Sequence, residues 1–284
     1  MVNITHPYLD AILDWARQED AIRALVVTGS LARMDDTTDQ YSDLDVQVIA
    51  TDIKRYIEDD RWLNHLGDVW IRYPIHQDAP YRLVWFSGGI KVDFQFLESD
   101  TIQGDQLTDE YTRGYQVLLD KDDLFRDLPP SPRLFPQAPP PSAAEVQATI
   151  NEFWFEAIHV AQFIRRRDFW VVKHRDWTMK ANVLRMLEWQ TRHVRRESIN
   201  TWLIGRRIAH WADEGAYAAI ERIWAGWDAL ALWEALLNQL ELFSRLSREV
   251  ASALQFTYEE RRYRDIGAYI HKLWREDPAI ESKD

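Results

Sequence analysis

The chain contains no cysteine, which excludes disulfides and thiolate metal sites and fits a reducing cytoplasm. None of its apolar runs approaches the ~18 uninterrupted residues of a membrane span. Asp10, Asp14 and Glu19 near the start are foreign to a signal peptide, so neither export nor membrane association is expected. The eight histidines form no HExxH or other paired ligand spacing. A zinc site is therefore not expected, and His159 and His193 read as helix-face residues. Positive charge is short in one half only: residues 1–128 hold 12 Lys and Arg against 25 Asp and Glu, the remainder 22 against 21. An enzyme working on nucleic acid needs a basic stripe for phosphates. The acidic half has none, and long-range attraction favours a cationic partner instead.

That acidic half carries the residues that speak about chemistry. Ala24-Leu25-Val26-Val27-Thr28 reads as a buried strand running into Gly29-Ser30, and Ser42-Asp43-Leu44-Asp45 opens the next apolar run. Residues i and i+2 of a strand share a face. Asp43 and Asp45 thus present two carboxylates side by side, while Leu44, Val46 and Val48 turn to the core. Like charges at that separation repel unless a cation lies between them, and Mg²⁺ is the hard ion suited to carboxylate and phosphate oxygens. Further on, Leu83–Phe86, a Ser87-Gly88-Gly89 turn and Ile90–Phe96 predict a β-hairpin. On its second arm Ile90, Val92, Phe94 and Phe96 alternate with Lys91, Asp93 and Gln95. If the strands are neighbours in one sheet, Asp93 joins Asp43 and Asp45. Three such carboxylates suit two metal ions roughly 3.5–4 Å apart. Gly29 lets the backbone approach a ligand closely, and Leu31-Ala32-Arg33 predicts a short helix whose free N–H groups favour an anion. Ser30 adds a hydroxyl for a triphosphate, with Ser42 as a second candidate.

Residues 8–21 predict an amphipathic helix with Tyr8, Leu9, Ile12, Leu13 and Ala16 on one side, and another helix is expected at about 52–65. The expected domains are 1–128, mixed α/β, and 142–284, all helical. Between them, residues 129–141 hold seven of the 11 prolines and read as a stiff linker. Ser142-Ala143-Ala144-Glu145 resembles a capping box opening a helix toward Arg167. Further helices are expected at about 178–196, 213–224, 228–254 and 259–275. Ten of the 14 tryptophans lie in this half. Most are expected in the core because Trp buries a large area, with one or two lining a cleft where a ring stacks on adenine or a sugar.

A strand, Gly-Ser, twelve residues, Asp-x-Asp and a later strand Asp resemble the nucleotidyltransferase superfamily. Asn151-Glu152-Phe153-Trp154, Val160-Ala161 and Leu184-Arg185-Met186-Leu187-Glu188-Trp189 resemble the helical domain of the aminoglycoside 6-adenylyltransferases, which modify streptomycin. Gly29-Ser30-x-x-Arg33 and Asp43-x-Asp45 also fall where that family carries them, so the resemblance spans nearly the whole chain. It implies an α+β protein, an N-terminal nucleotidyltransferase domain with a mixed sheet followed by a C-terminal all-α substrate-binding domain. The implied reaction moves AMP from ATP to a hydroxyl of an aminoglycoside, releasing pyrophosphate and conferring antibiotic resistance. Asp43 and Asp45 would ligate both Mg²⁺ ions. Asp93 would bind the ion nearer the attacking hydroxyl and is the candidate general base. Gly29, Ser30, Arg33 and Ser42 would hold the nucleotide, and Lys180, Arg206 and Arg207 are candidates for the pyrophosphate. For the cationic acceptor the candidates are Glu152 and Glu156, one helical turn apart with Trp154 between them, and Glu188 beside Trp189. Pairing of these glutamates with Arg165, Arg185 or Arg192 is the structural alternative. Where the family carries a lysine-rich stretch after a glycine, this chain has Gly205-Arg206-Arg207-Ile208-Ala209-His210-Trp211, and arginine does not simply replace lysine at a tight site. Two other readings stay open: the same chemistry on a different small-molecule or protein acceptor, and a non-catalytic nucleotide-binding or antitoxin-type module.

Overall fold

The alternating and β-branched runs of the first half form one six-stranded sheet. A computed structural model of the chain describes residues 4–33, 38–73, 79–135, 138–196, 199–201 and 203–281. Its strands are β1 (Ile22–Val27), β2 (Leu44–Ala50), β3 (Val69–Tyr73), β4 (Tyr81–Phe86), β5 (Ile90–Glu98) and β6 (Gln116–Asp120). They lie in the order β3-β4-β5-β2-β1-β6. β2 and β5 run parallel and the other neighbours antiparallel. The helices of this part are α1 (Leu9–Gln18), α2 (Gly29–Arg33), α3 (Lys54–Ile57) and α4 (Asp109–Arg113).

Period-two alternation decides what each face of the sheet carries. Leu44, Val46 and Val48 of β2 and Val92, Phe94 and Phe96 of β5 form an apolar face, against which α1 buries Ile12, Trp15 and Ala16. The expected helix near 52–65 is divided. α3 ends at Ile57, Asp59 is extended and caps Arg61 N, and a 3-10 segment covers Asp60–His65. Trp62 can then stack on Trp15 with ring centroids 4.9 Å apart. On the other face the parallel register pairs Asp45 with Asp93, Gln47 with Gln95 and Ile49 with Leu97. That face is polar at one end and apolar at the other, where Ile49 joins Ala24, Val26, Tyr111 and Phe125 in a second small core.

The chain divides into two compact units, Met1–Pro136 and Gln137–Asp284, with the division inside the proline-rich stretch. The second unit contains α5 (Ala143–Arg165), α6 (Phe169–Trp189), α7 (Ile208–Trp211), α8 (Glu214–Glu221), α9 (Ala229–Ala253) and α10 (Glu260–Arg275). Ser142 and Glu145 close the capping box at the start of α5. Phe153 of α5 and Phe243 of α9 stack at 3.6 Å in the core. α6 begins well before the expected residue 178, because its first turns bury little and so show no helical stripe. That also corrects the expectation for tryptophan. Trp154, Trp211 and Trp233 are core residues, but Trp170, Trp177, Trp224 and Trp227 are exposed, and Trp202 lies outside the described residues. No helix among the described residues is long and apolar enough to cross a membrane.

Candidate active site

Asp43 directly precedes β2, Asp45 is its second residue, and the parallel register sets Asp45 opposite Asp93. One carboxylate oxygen from each of the three lies within 4.8 Å of the others. Lys91, two residues before Asp93 and on the same strand face, donates from Nζ to Asp43 Oδ2 at 2.7 Å and to Asp93 Oδ2 at 2.6 Å. Asp93 Oδ1 is buried with no hydrogen-bond partner. The approach of α2 to this cluster depends on Gly29. Its φ is +65°, and a Cβ there would fall 1.7 Å from Asp45 Oδ2. The missing side chain is therefore the space that Asp45 occupies. Thr28 N–H donates to the Asp45 carbonyl at 3.0 Å, tying the end of β1 to β2. Ser30, the next residue but one, is buried with an unpartnered Oγ.

The cluster holds more negative charge than its surroundings balance. Burial, then the charges of Asp43 and Asp93, push Asp45 up to about 7; Lys91 opposes this and Glu110 adds to it. Asp93 is also raised, chiefly by burial, with Lys91 pulling the other way. For Lys91 burial works downward, but its bonds to Asp43 and Asp93 outweigh it and the ammonium is stabilised. A carboxylate trio with an orphaned buried oxygen and mutual repulsion fits a hard divalent ion, which would satisfy the oxygen and screen the repulsion.

A hydrogen-bonded layer stands behind the trio. Glu110 of α4 accepts from Thr28 Oγ1 at 2.7 Å and from Gln47 Nε2 at 2.7 Å; Gln47 Nε2 also donates to Gln95 Oε1 at 2.9 Å. Tyr111 OH donates to Gln47 Oε1 at 2.5 Å, and Gln95 Nε2 donates to Tyr81 OH at 2.8 Å. Neither Lys91 nor Glu110 was singled out from the sequence. The alternation that places Asp93 also places Lys91, so that signal was present; Glu110 had none, because α4 is a five-residue helix far along the chain.

The other anticipated residues lie in both units. Arg33 ends α2. Ser42 Oγ accepts from Asp39 N at 2.9 Å, within its own loop. In the helical unit Lys180 is buried, paired with Asp176 at 2.5 Å, and sits 4.8 Å from the centroid of the Trp224 ring. Arg206 is exposed, and Arg207 takes a left-handed conformation before α7. Glu152 is exposed, whereas Glu156 pairs with Arg175 of α6 at 2.8 Å rather than with an arginine of its own helix. Trp154 does not lie between these glutamates on an open face. It is 4% exposed and stacks on Tyr263 at 5.6 Å, because positions 152 and 154 fall on nearly opposite sides of a helix. It borders a cleft of about 670 Å³ shared with Glu241, Arg248, Tyr258 and His271. Glu188 is half-buried, and burial raises it against the pull of Arg192 and Arg185.

A parallel strand pair gathering three aspartates beside a Gly-Ser helix start is the arrangement of a nucleotidyltransferase. Residues 4–273 match the family model for streptomycin adenylyltransferase, and the chain belongs to that family. An aminoglycoside 6-adenylyltransferase of Bacillus subtilis (strain 168) is 23% identical over 264 residues, covering 89% of this chain and 92% of its own. One from Campylobacter jejuni is 22% identical over 264 residues and 88% of each chain. The crystal structure of an aminoglycoside 6-adenyltransferase from Bacillus subtilis aligns with 94% of this chain and 97% of its own, at 18% identity and a TM-score of 0.46.

Proposed function

We propose that the protein transfers AMP from ATP to a hydroxyl of a cationic aminoglycoside and releases pyrophosphate. The observation that carries this is the meeting of Asp43, Asp45 and Asp93 within 4.8 Å, beside a glycine with no room for a side chain. Asp43 and Asp45 would hold two Mg²⁺ ions, with Asp93 on the one nearer the acceptor. When bound, the ions supply Lewis-acid polarisation of the phosphate and neutralise charge on the departing pyrophosphate.

The side chains have separate tasks. Ser30 donates its free hydroxyl to a phosphate oxygen. Gly29 keeps the phosphate approach open. Asp93 is placed to accept the proton of the attacking hydroxyl as general base. As the acceptor oxygen bonds to the α-phosphorus, the bond from that phosphorus to the bridging oxygen breaks and pyrophosphate leaves with its electron pair. The acidic first half, with 25 Asp and Glu against 12 Lys and Arg in residues 1–128, draws a polycationic acceptor toward the site.

The test is pyrophosphate release from ATP and Mg²⁺ in the presence of streptomycin, kanamycin or a lincosamide. Turnover with an aminoglycoside, lost in Asp45→Asn, is expected. Turnover with the lincosamide alone would keep the chemistry and replace the acceptor; no turnover with any of the three would overturn the proposal.

A further inference from the structure

Lys91 is placed where a cation belongs. Its ammonium spans two of the three carboxylates, at 2.7 Å to Asp43 Oδ2 and 2.6 Å to Asp93 Oδ2, and its side chain is only 23% exposed. Both bonds are charge-assisted and short, the strong class of hydrogen bond. A divalent ion entering this cluster draws on the same carboxylates, two of which the ammonium already holds. It also meets a positive charge a few ångströms away in a poorly solvated place, where repulsion is large. Ion and ammonium therefore compete.

We propose that Lys91 is the resident counter-ion of the carboxylate trio, that a divalent metal binds only by displacing it, and that the metal consequently enters with the nucleotide rather than alone. This inference rests on the reading of Asp43, Asp45 and Asp93 as the metal site. The triphosphate is what makes the exchange favourable. It brings anionic oxygens that take up the released ammonium, so the lysine trades two carboxylates for phosphate while the metal takes its place. A free metal ion offers no such replacement partner. The lysine thus protects the fold from three clustered negative charges and, by the same contacts, makes the site selective for metal that arrives with nucleotide.

The test measures Mn²⁺ binding by electron paramagnetic resonance, with and without the α,β-methylene analogue of ATP, on the intact chain. Wild type is expected to bind Mn²⁺ weakly alone and at least about tenfold more tightly with the analogue, the scale set by losing charge-assisted hydrogen bonds. Lys91→Met should bind Mn²⁺ alone about tenfold more tightly than wild type, with the enhancement by analogue mostly gone. Lys91→Arg, which keeps the charge, should stay close to wild type. Arg17→Met removes an equal charge from the exposed pair with Asp14 and should change nothing, which separates local competition from net charge. Lys91→Gln serves as the second neutral variant should Lys91→Met fold poorly. Unchanged or weaker Mn²⁺ binding in the folded neutral variant would overturn the proposal. If Asp45→Asn leaves Mn²⁺ binding intact in the Lys91→Met background, the metal site itself is wrong. If Asp45→Asn abolishes it while Lys91→Met matches wild type, only the role of Lys91 falls.

Discussion

Each unit draws aspartates away from solvent, fully at Asp277 and partly at Asp45 and Asp93, and the two treat them in opposite ways. In the helical unit Asp277 is fully buried and every oxygen is used. Arg167 donates to Oδ2 at 2.9 Å and to Oδ1 at 2.5 Å, Trp233 Nε1 donates to Oδ2 at 3.0 Å, and Ala279 N donates to Oδ1 at 2.9 Å. Burial pushes this carboxyl up, but the bonds from Arg167, Ala279 and Trp233 outweigh it and hold it below the usual carboxylate range. In the sheet unit Asp45 and Asp93 are raised, the one lysine bonds Asp43 and Asp93 but not Asp45, and Asp93 Oδ1 is left unpartnered. A buried carboxylate with all its partners is a structural fixture. One left short of partners beside its own kind is set up to bind or react.

The sharpest way to break this contrast is to neutralise each site in turn. Asp45→Asn should lower adenylyl transfer on the order of a thousandfold, measured as pyrophosphate release, while the metal-free protein melts no lower than wild type. Asp277→Ala should do the reverse. It leaves the Trp233 N–H without its partner in the core and removes the pair with Arg167, costing about 3 kcal/mol of stability, read from denaturant midpoints, with kcat per folded molecule retained.

Acid should separate the two sites by sign. For Asp45 the folded protein holds its proton up to about 7, whereas the unfolded chain releases it in the ordinary carboxylate range. Its contribution therefore falls as pH rises through that window. The stability advantage of Asp45→Asn over wild type, measured with chelator present, should grow by about 3 kcal/mol between roughly pH 4 and pH 8. Asp277 is lowered, so its contribution is complete above the ordinary carboxylate range and is lost as pH falls below it. A stability difference for Asp45→Asn that does not change with pH would contradict the first half of this statement.

Gly29→Ala tests the packing on which the sheet site depends. The left-handed backbone and the clash with Asp45 Oδ2 predict a loss of about 2 kcal/mol, with activity falling further than stability because Asp45 must move. Smallest of all, Tyr111→Phe removes one bond to Gln47 and should cost about 1 kcal/mol. Unchanged melting would mean that the layer behind the trio is not supporting it.

Much of this was legible in advance where the signal is local. The capping box of Ser142 and Glu145, the hairpin of β4 and β5, and the alternation through Asp45 and Asp93 each depend on residues a few positions apart. β3 and β6 were not anticipated. They are the two edges of the sheet, and an edge strand buries too little on either face to impress a period on its sequence; β3 is largely exposed. Trp154 was expected beside Glu152 as a ligand face, and the core claimed it, because burial follows angular position on the helix more closely than closeness in sequence.

By itself the sequence determined which side chains share a strand face: Asp45 with Gln47, and Lys91 with Asp93 and Gln95. That follows from the two-residue period of an extended chain and needs no partner strand. Only the tertiary structure decided that β2 and β5 lie side by side with Asp45 opposite Asp93, that Lys91 reaches across to Asp43, and that Glu110 stands behind them. Those pairings join segments 48 to 82 residues apart in sequence. Their register is set by how the whole sheet buries its apolar face, which no short stretch of chain contains.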